Sequence, residues 1–155
     1  MDVYKKLDEL GIKLMGPTPK GGIYSSVQPY GDHLLYVSGT APHNAVDENM
    51  AGAEYSILEG QEAARRCMVN IISNLHHELG DLNKIKKFVK ILGFVASAPD
   101  FYEHPQVING ASQLLKNVFG EEAGLPARSA IGVAALPWNI PVEIECVVEL
   151  KKDEE

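Results

Sequence analysis

Two ionisable residues in the C-terminal part of the chain could carry out chemistry. Arg128 lies at the start of an otherwise small and apolar segment, residues 127–134, and Glu143 begins a segment in which carboxylates alternate with apolar side chains. An arginine can grip a carboxylate through two parallel hydrogen bonds, and it stays charged at all working pH values. A carboxyl in a partly desolvated cleft can pass protons to and from a reacting molecule and its water. One chemistry open to this pair is therefore the binding and conversion of a small carboxylic acid.

Both residues also have a purely structural interpretation. Arg128 could pair with Glu143 or Glu145 inside the fold, and the charge pattern taken alone favours that pairing. Glu143 could be one member of a row of three exposed carboxylates, which also contains Glu145 and Glu149. Nothing in the residue pattern selects Glu143 over Glu145 as a reactive carboxyl.

The other polar residues give weaker signals. His76 and His77 are adjacent on a predicted helix, so they point in different directions and are not a metal pair. Cys67 and Cys146 sit among apolar positions far apart in the chain, which is typical of buried thiols that act as small hydrophobes. For His43, a surface position in a loop is the favoured interpretation over a ligand contact. We therefore expect no metal and no cofactor.

Length and composition exclude several classes of protein. The chain has 155 residues, 45% hydrophobic and 23% charged, which suffices for one domain with its own core. Its 14 lysines and arginines against 21 aspartates and glutamates give a formal charge of −7, which argues against a nucleic-acid partner. No apolar stretch is long enough to span a bilayer, and the first residues lack the features of a secretory signal. We therefore expect no membrane partner and a cytoplasmic location.

The spacing of apolar residues predicts three helices and five strands. Helices are predicted for a short segment between Asp2 and Gly11 and for residues 57–79 and 107–119. Strands are predicted for residues 23–27, 33–38, 88–97, 127–136 and 142–150. This order predicts one α+β domain over residues 1–155, with a single sheet and two long helices packed on one face. Residues 1–21 would form an N-terminal helix and lead-in, and residues 151–155 a charged tail. The second sheet face must then be solvated or covered by another subunit.

Two segments resemble one known family. Residues 126–150 read PARSAIGVAALPWNIPVEIECVVEL, and residues 34–42 read LLYVSGTAP. These segments, and the order of the elements between them, are similar to the Rid/YjgF family, also called L-PSP. The resemblance covers nearly everything after Gly22. It implies a chorismate-mutase-like fold and a homotrimer whose sites lie in clefts between subunits.

The resemblance also implies an activity and a set of site residues. Deaminases of the family hydrolyse imines and enamines, such as 2-aminoacrylate, to a 2-keto acid and ammonia. Arg128 matches by position the arginine that holds the substrate carboxylate, and Glu143 matches the glutamate that handles the attacking water. Three further substrate-binding positions of the family match Tyr24 on the predicted first strand, Ser38 and Asn109.

One departure from the deaminase pattern lies two residues after the arginine. That position is often cysteine in the deaminases and is Ala130 here, so only its backbone groups remain to contact a ligand. The departure shifts weight toward a second hypothesis, a non-catalytic trimer that binds small carboxylates or keto acids through Arg128. A third hypothesis, the endoribonuclease of older family labels, is disfavoured by the acidic charge and the absence of an aromatic and basic surface for RNA.

Overall fold

The computed structural model describes residues 2–42 and 55–152, and these residues form one five-stranded sheet with helices on one face. His43 and the last three residues of the predicted tail lie outside the described residues. The strands are β1 (Val27–Tyr30), β2 (Leu34–Thr40), β3 (Ile85–Ala96), β4 (Ala127–Val133) and β5 (Val142–Leu150). Their order in the sheet is β1-β2-β5-β3-β4, and β3 and β4 run parallel while the other neighbours are antiparallel. β4 is therefore an edge strand.

The helices are α1 (Val3–Glu9), α2 (Ile57–Leu79) and α3 (His104–Gly124). The start of α2 is fixed by a capping box, in which the Ser56 hydroxyl accepts from the Glu59 N–H at 3.2 Å and the Glu59 carboxylate accepts from the Ser56 N–H at 2.7 Å. Gly80, at φ 69°, ends the helix in the left-handed conformation. The predicted bounds of α2 are thus confirmed. α3 begins three residues before the predicted helix 107–119, and Gly120, at φ 79° and ψ 177°, interrupts the helical backbone directly after Phe119, where the prediction ends the helix.

The core lies between the two long helices and one face of the sheet. Apolar residues of α2 and α3 that repeat at steps of three and four are buried, as the helical periodicity predicts. They pack on the alternating buried residues of the central strands, which include Ile91, Val95, Ile144, Cys146 and Val148. The predicted α+β architecture with two long helices on a single face is therefore confirmed. We call the side of the sheet that carries the helices the helix face and the other side the open face.

Close contact between α2 and α3 fixes the position of α3 over β4. A Cβ atom at Gly110 of α3 would overlap the backbone carbonyl of Gln61 on α2. The Gln61 side chain also donates to the Gln106 carbonyl at 2.9 Å. Because a side chain at position 110 would push the helices apart, this glycine sets the distance between α2 and α3.

The predicted first strand is wrong in its position. Residues 23–26 precede the sheet, and β1 covers Val27–Tyr30 instead of 23–27. The segment that holds Gly21, Gly22 and two serines makes bends instead of a ladder, since it lacks the alternation that a strand needs. Pro29, predicted to begin a turn, fits within β1 because β1 is an edge strand that can spare an N–H group.

The ends of β2, β3 and β4 also differ from the prediction. β2 covers Leu34–Thr40 instead of 33–38, and β3 ends at Ala96 instead of residue 97. β3 begins at Ile85, three residues early, and its pairing with β5 is interrupted by two irregularities between Ile85 and Lys90. β4 ends at Val133, three residues early. Among the described residues, no helix combines the length and the apolar character needed to cross a bilayer.

Candidate functional site

Arg128 is held on the helix face by two side chains of α3. Its Nη1 atom donates to Asn109 Oδ1 at 2.7 Å and to Ser112 Oγ at 3.1 Å. Asn109 and Ser112 are three residues apart, so they lie next to each other on the helix surface that faces β4. The guanidinium is partly buried, and two neutral acceptors fix its orientation.

The positive charge of Arg128 is not neutralised by a carboxylate of the described residues. Every ion pair among residues 2–42 and 55–152 involves other cations, and neither Glu143 nor Glu145 approaches Arg128. The alternative of an internal Arg128–glutamate pair is therefore wrong for this part of the chain. Both hydrogen bonds use Nη1, so the other nitrogens of the guanidinium have no hydrogen-bond partner among the described residues.

Ala130 lies on the same face of β4 as Arg128. The register pairs Arg128 with Ile91 and Ala130 with Gly93, both of which face the helices. Ala130 is partly buried and leaves a small side chain beside the guanidinium. Arg128, Asn109, Ser112 and Ala130 form what we call the Arg128 group.

Glu143 lies on the open face of the sheet, over the backbone of β2. An added Cβ at Gly39 would stand 2.9 Å from the Glu143 carboxyl carbon, so the carboxyl occupies the space that a glycine leaves. The pKa of Glu143 is raised, first because burial penalises its charge and second because Glu145 lies nearby with the same charge. A group in this environment holds its proton at higher pH than an ordinary glutamate.

Ser38 precedes Gly39 and is hydrogen-bonded to the two residues that follow Tyr24. The Ser38 hydroxyl donates to the Ser25 carbonyl at 2.6 Å, and the Ser38 N–H donates to the Ser26 carbonyl at 2.9 Å. Tyr24 lies before β1, not on it, and the residue is 42% exposed. A register shift in β2 between Val37 and Thr40 bends the strand at Ser38 and Gly39. We call Glu143, Ser38, Gly39 and Tyr24 the Glu143 group.

The two groups do not meet within one chain. Glu143 pairs with Phe94, and Phe94 with Ile131, so these three side chains share the open face. Arg128 lies three residues from Ile131 along an uninterrupted register and therefore points to the helix face. Two strand spacings and three residues of strand separate the Arg128 and Glu143 Cα atoms by about 14 Å. The structure thus brings Asn109 and Ala130 to Arg128, brings Gly39, which follows Ser38, to Glu143, and leaves the two sets apart.

Sequence reasoning missed two residues that the structure places in these groups. Ser112, like Asn109, accepts a hydrogen bond from the Arg128 guanidinium. Its position three residues after Asn109 on a predicted helix could have indicated this role. Gly39 makes room for the Glu143 carboxyl, and the signal was a glycine directly after the predicted strand 33–38, a residue type that permits close approach of another group to the backbone. Within the described residues, no cluster of three or more histidine, cysteine or acidic side chains is arranged to hold a metal ion.

Comparison with known proteins finds one family and close relatives. The family model described as endoribonuclease L-PSP matches residues 18–150. Protein TCP17 of Trypanosoma cruzi is 44% identical over 151 residues, which cover 96% of this chain and 94% of that protein. The crystal structure of Atu1372 from Agrobacterium tumefaciens has 40% identity and a TM-score of 0.85, covering 96% of this chain and 94% of that one. E. coli TdcF, crystallised with bound serine, has 18% identity and a TM-score of 0.63 over 90% of this chain and 96% of its own, so that likeness concerns the fold.

Proposed function

This chain belongs to the endoribonuclease L-PSP family, the Rid/YjgF family, and on that premise we propose that it hydrolyses small imine or enamine carboxylic acids of the 2-aminoacrylate type. The observation that carries the proposal is Arg128, a guanidinium oriented by two neutral acceptors and left without an ion pair among the described residues. A charge fixed in this way is preorganised for an incoming carboxylate, since no internal salt bridge has to break first.

The reaction needs one water and two proton transfers. Protonation of the enamine at its terminal carbon gives the imine, and water then adds to the imine carbon while the nitrogen takes up a proton. The added hydroxyl then loses its proton as the C–N bond breaks, which balances the proton taken up at carbon; ammonia leaves, and the oxygen remains as the carbonyl of the 2-keto acid. Glu143 is the group proposed to accept the proton from water and return it to nitrogen, which suits a carboxyl whose pKa is raised by partial burial.

The proposed site is shared between two copies of the chain. Arg128 and Glu143 lie on opposite faces of one sheet, so a molecule the size of 2-aminoacrylate contacts both only if a neighbouring copy supplies one of them. The open face also carries apolar and aromatic side chains that are exposed in the single chain, including Tyr30, Tyr36 and Ile131. Such a surface supports a partner copy of the chain, and the family resemblance favours three copies.

Two alternatives use the same structure differently. Ala130 in place of the frequent cysteine favours a trimer that binds small carboxylates without converting them. The endoribonuclease of the family label is poorly supported, because the chain carries a formal charge of −7 and places Glu143 and Glu145 on the open face. The serine bound in TdcF is an amino acid with its own carboxylate, and it supports only that this fold accommodates a ligand of that class.

The test is keto-acid formation from freshly generated 2-aminoacrylate. We expect Glu143→Gln to lower the rate by about a hundredfold, because proton transfer by a positioned carboxyl contributes about that much. Glu145→Gln is the matched control, since Glu145 lies on the same strand face but is exposed, and its rate should stay within about threefold of wild type. Arg128→Ala should raise KM and lower kcat/KM by about a hundredfold or more through loss of the carboxylate contact.

The outcomes separate the alternatives. If wild-type protein forms keto acid no faster than buffer while 2-oxobutanoate still binds in an Arg128-dependent manner, the enzyme proposal is wrong and the carboxylate-binding alternative stands. If neither hydrolysis nor binding depends on Arg128, both fail.

A further inference from the structure

Trp138 and Asn139 adopt a backbone conformation that L-amino acids rarely adopt. Their φ angles are +54° and +57°, and among the described residues they are the two non-glycine residues with positive φ. They lie in the short turn Pro137–Asn139 that joins β4 to β5, so they precede Glu143 by only a few residues. Left-handed conformation costs about 1–2 kcal/mol per residue, and it persists where surrounding contacts hold it.

The contact that accompanies this turn lies between the Trp138 indole and Gly21. A Cβ atom at Gly21 would overlap the indole ring, so the ring lies directly against the backbone of the lead-in. Trp138 as a whole residue remains 63% exposed. The φ of Gly21 is not in the left-handed region, so this position requires glycine for space and not for conformation.

The contact continues by hydrogen bonds into the Glu143 group. The Gly21 N–H donates to the Tyr24 hydroxyl at 3.2 Å, which holds the tyrosine back over its own segment. The next residues, Ser25 and Ser26, accept from the side chain and the backbone of Ser38 at 2.6 and 2.9 Å. Ser38 precedes Gly39, over which the Glu143 carboxyl lies. Trp138 and Glu143 lie on either side of the start of β5, so these contacts connect the turn before β5 to the strand segment next to the Glu143 carboxyl.

We propose that Trp138 is a positioning residue of the Glu143 group, acting through its contact with Gly21 to hold Tyr24 and Ser38 in place. This inference rests on the proposed function and names a residue that the family resemblance does not. The chain before Gly21 is also held at Thr18, whose N–H donates to the Asn74 side chain of α2 at 2.9 Å. The effect of Trp138 is therefore local to the residues after Thr18. Loss of the indole therefore loosens residues 20–24, which lie between the Thr18 bond to α2 and the bonds from Ser38 to Ser25 and Ser26.

A double-mutant cycle across the contact tests the proposal. Trp138→Ala removes the ring, and Gly21→Ala drives a methyl group into it, so each change displaces the same segment. We expect each to raise KM for 2-aminoacrylate about tenfold with kcat changed by less than about threefold, because Tyr24 and Ser38 are binding groups. In the Trp138→Ala background the space beside position 21 is empty, so the second change should add little, and the two effects should be far from additive.

Two further variants keep the test specific. Gly16→Ala is the matched glycine control, since Gly16 is exposed in the same lead-in with nothing near its Cβ position, and it should leave KM unchanged. Trp138→Phe keeps an aromatic ring on the turn but lacks the outer edge of the indole that meets Gly21, so its KM should lie between the Trp138→Ala and wild-type values. Binding of 2-oxobutanoate by calorimetry repeats the cycle without catalysis, and it should show the same loss of affinity for Trp138→Ala and Gly21→Ala.

Each result supports or overturns the inference. The inference would be overturned by additive effects, by unchanged KM and affinity, or by a KM of Trp138→Phe no lower than that of Trp138→Ala. A lower amount of active protein at an unchanged KM would also overturn it, because that result marks a merely structural residue. If wild type binds 2-oxobutanoate without hydrolysing 2-aminoacrylate, the proposed enzyme fails and the calorimetric cycle alone decides the role of Trp138. If wild type does neither, the inference falls with the proposed function.

Discussion

The Arg128 group and the Glu143 group are built in different ways. Asn109 and Ser112 lie on a long helix whose apolar side is buried in the core, and they hold the guanidinium by side-chain bonds. The Glu143 group depends instead on a bent strand, a glycine and an irregular lead-in tied by backbone carbonyls. The charge-binding half is therefore positioned by regular packing, whereas the proton-transfer half is positioned by local backbone. Small backbone changes should damage the second half far more than the first.

The largest expected effect comes from mixing two defective chains. Arg128→Ala and Glu143→Gln should each be nearly inactive alone, but co-expression should restore about a quarter of wild-type activity per site. In random assembly, the chain that supplies Arg128 to a site is intact at that residue with a chance of about one half, and the same holds for the chain that supplies Glu143. The measurement is keto-acid formation by purified mixed oligomers.

The matched mixture is wild type with the double variant Arg128→Ala, Glu143→Gln. Shared sites predict about a quarter of the activity here too. Sites contained in one chain predict about half in this mixture and none in the first, and that result would contradict the division into two halves.

A methyl group at Gly39 should damage only the Glu143 group. Its Cβ would lie 2.9 Å from the Glu143 carboxyl carbon, so Gly39→Ala must displace the carboxylate. We expect kcat to fall by about tenfold or more, because displacements of about 1 Å at a reacting group cost that much. Calorimetric binding of 2-oxobutanoate should be less affected than kcat. Equal losses in both would show that the two halves are not independent.

Removing one acceptor from Arg128 should have a smaller effect, confined to binding. Ser112→Ala leaves Asn109 to orient the guanidinium, so the affinity for 2-oxobutanoate should fall by about threefold to tenfold with kcat nearly unchanged. Gln113→Ala, at the next residue of α3 and bonded to Asn117, is the control and should bind as wild type does. A fall in kcat without loss of affinity would contradict the assignment of Ser112 to carboxylate binding.

The smallest effect is a displacement of the pH profile. The pKa of Glu143 is raised by burial and then by Glu145, so Glu145→Gln should lower it and move the acid limb of kcat/KM to lower pH by less than about one unit. Lys87→Gln, which alters a charge paired with Glu149 at the other end of β5, should not move the limb. A shift to higher pH on loss of Glu145 would show that the Glu145 charge does not raise the pKa of Glu143.

The same raised pKa has a consequence for stability, with a definite sign. The folded state favours the protonated form of Glu143 over the charged form. The resulting stabilisation of the folded protein is complete at pH values below the unfolded pKa and is lost as the pH rises through the folded pKa. Glu143→Gln should therefore raise Tm slightly at pH 7, on the order of 1 °C, and leave it unchanged at pH 4. A lower Tm at pH 7 would contradict this.

The regular elements of this fold were predictable because their signals are local. The steps of three and four in α2, its capping box and Gly80 predict both ends of that helix, and the alternation of residues 142–150 predicts β5 and its two faces. The conformation of residues 20–26 was not predictable in this way. Tyr24 was predicted on a strand, but its segment is held by contacts with residues more than ten positions away, and propensity does not register those.

The division of the site was predictable only in part. Alternation alone places Glu143 opposite the buried residues of β5, but the face of Arg128 depends on the parallel register between β3 and β4, which no local pattern reveals. The pairing of Arg128 with a glutamate, favoured by charge pattern, fails for the same reason. Opposite charges near each other in sequence were separated by the sheet itself.

Cys67 and Cys146 are both buried free thiols, and burial raises the pKa of each, so neither supplies the thiolate that reacts with alkylating reagents. The folded protein is thus a natural background for site-selective labelling. A single cysteine introduced at Ala130, where related deaminases often carry one, would be the preferred target of a thiol-reactive fluorophore and would report on occupancy beside Arg128 without removal of either native cysteine.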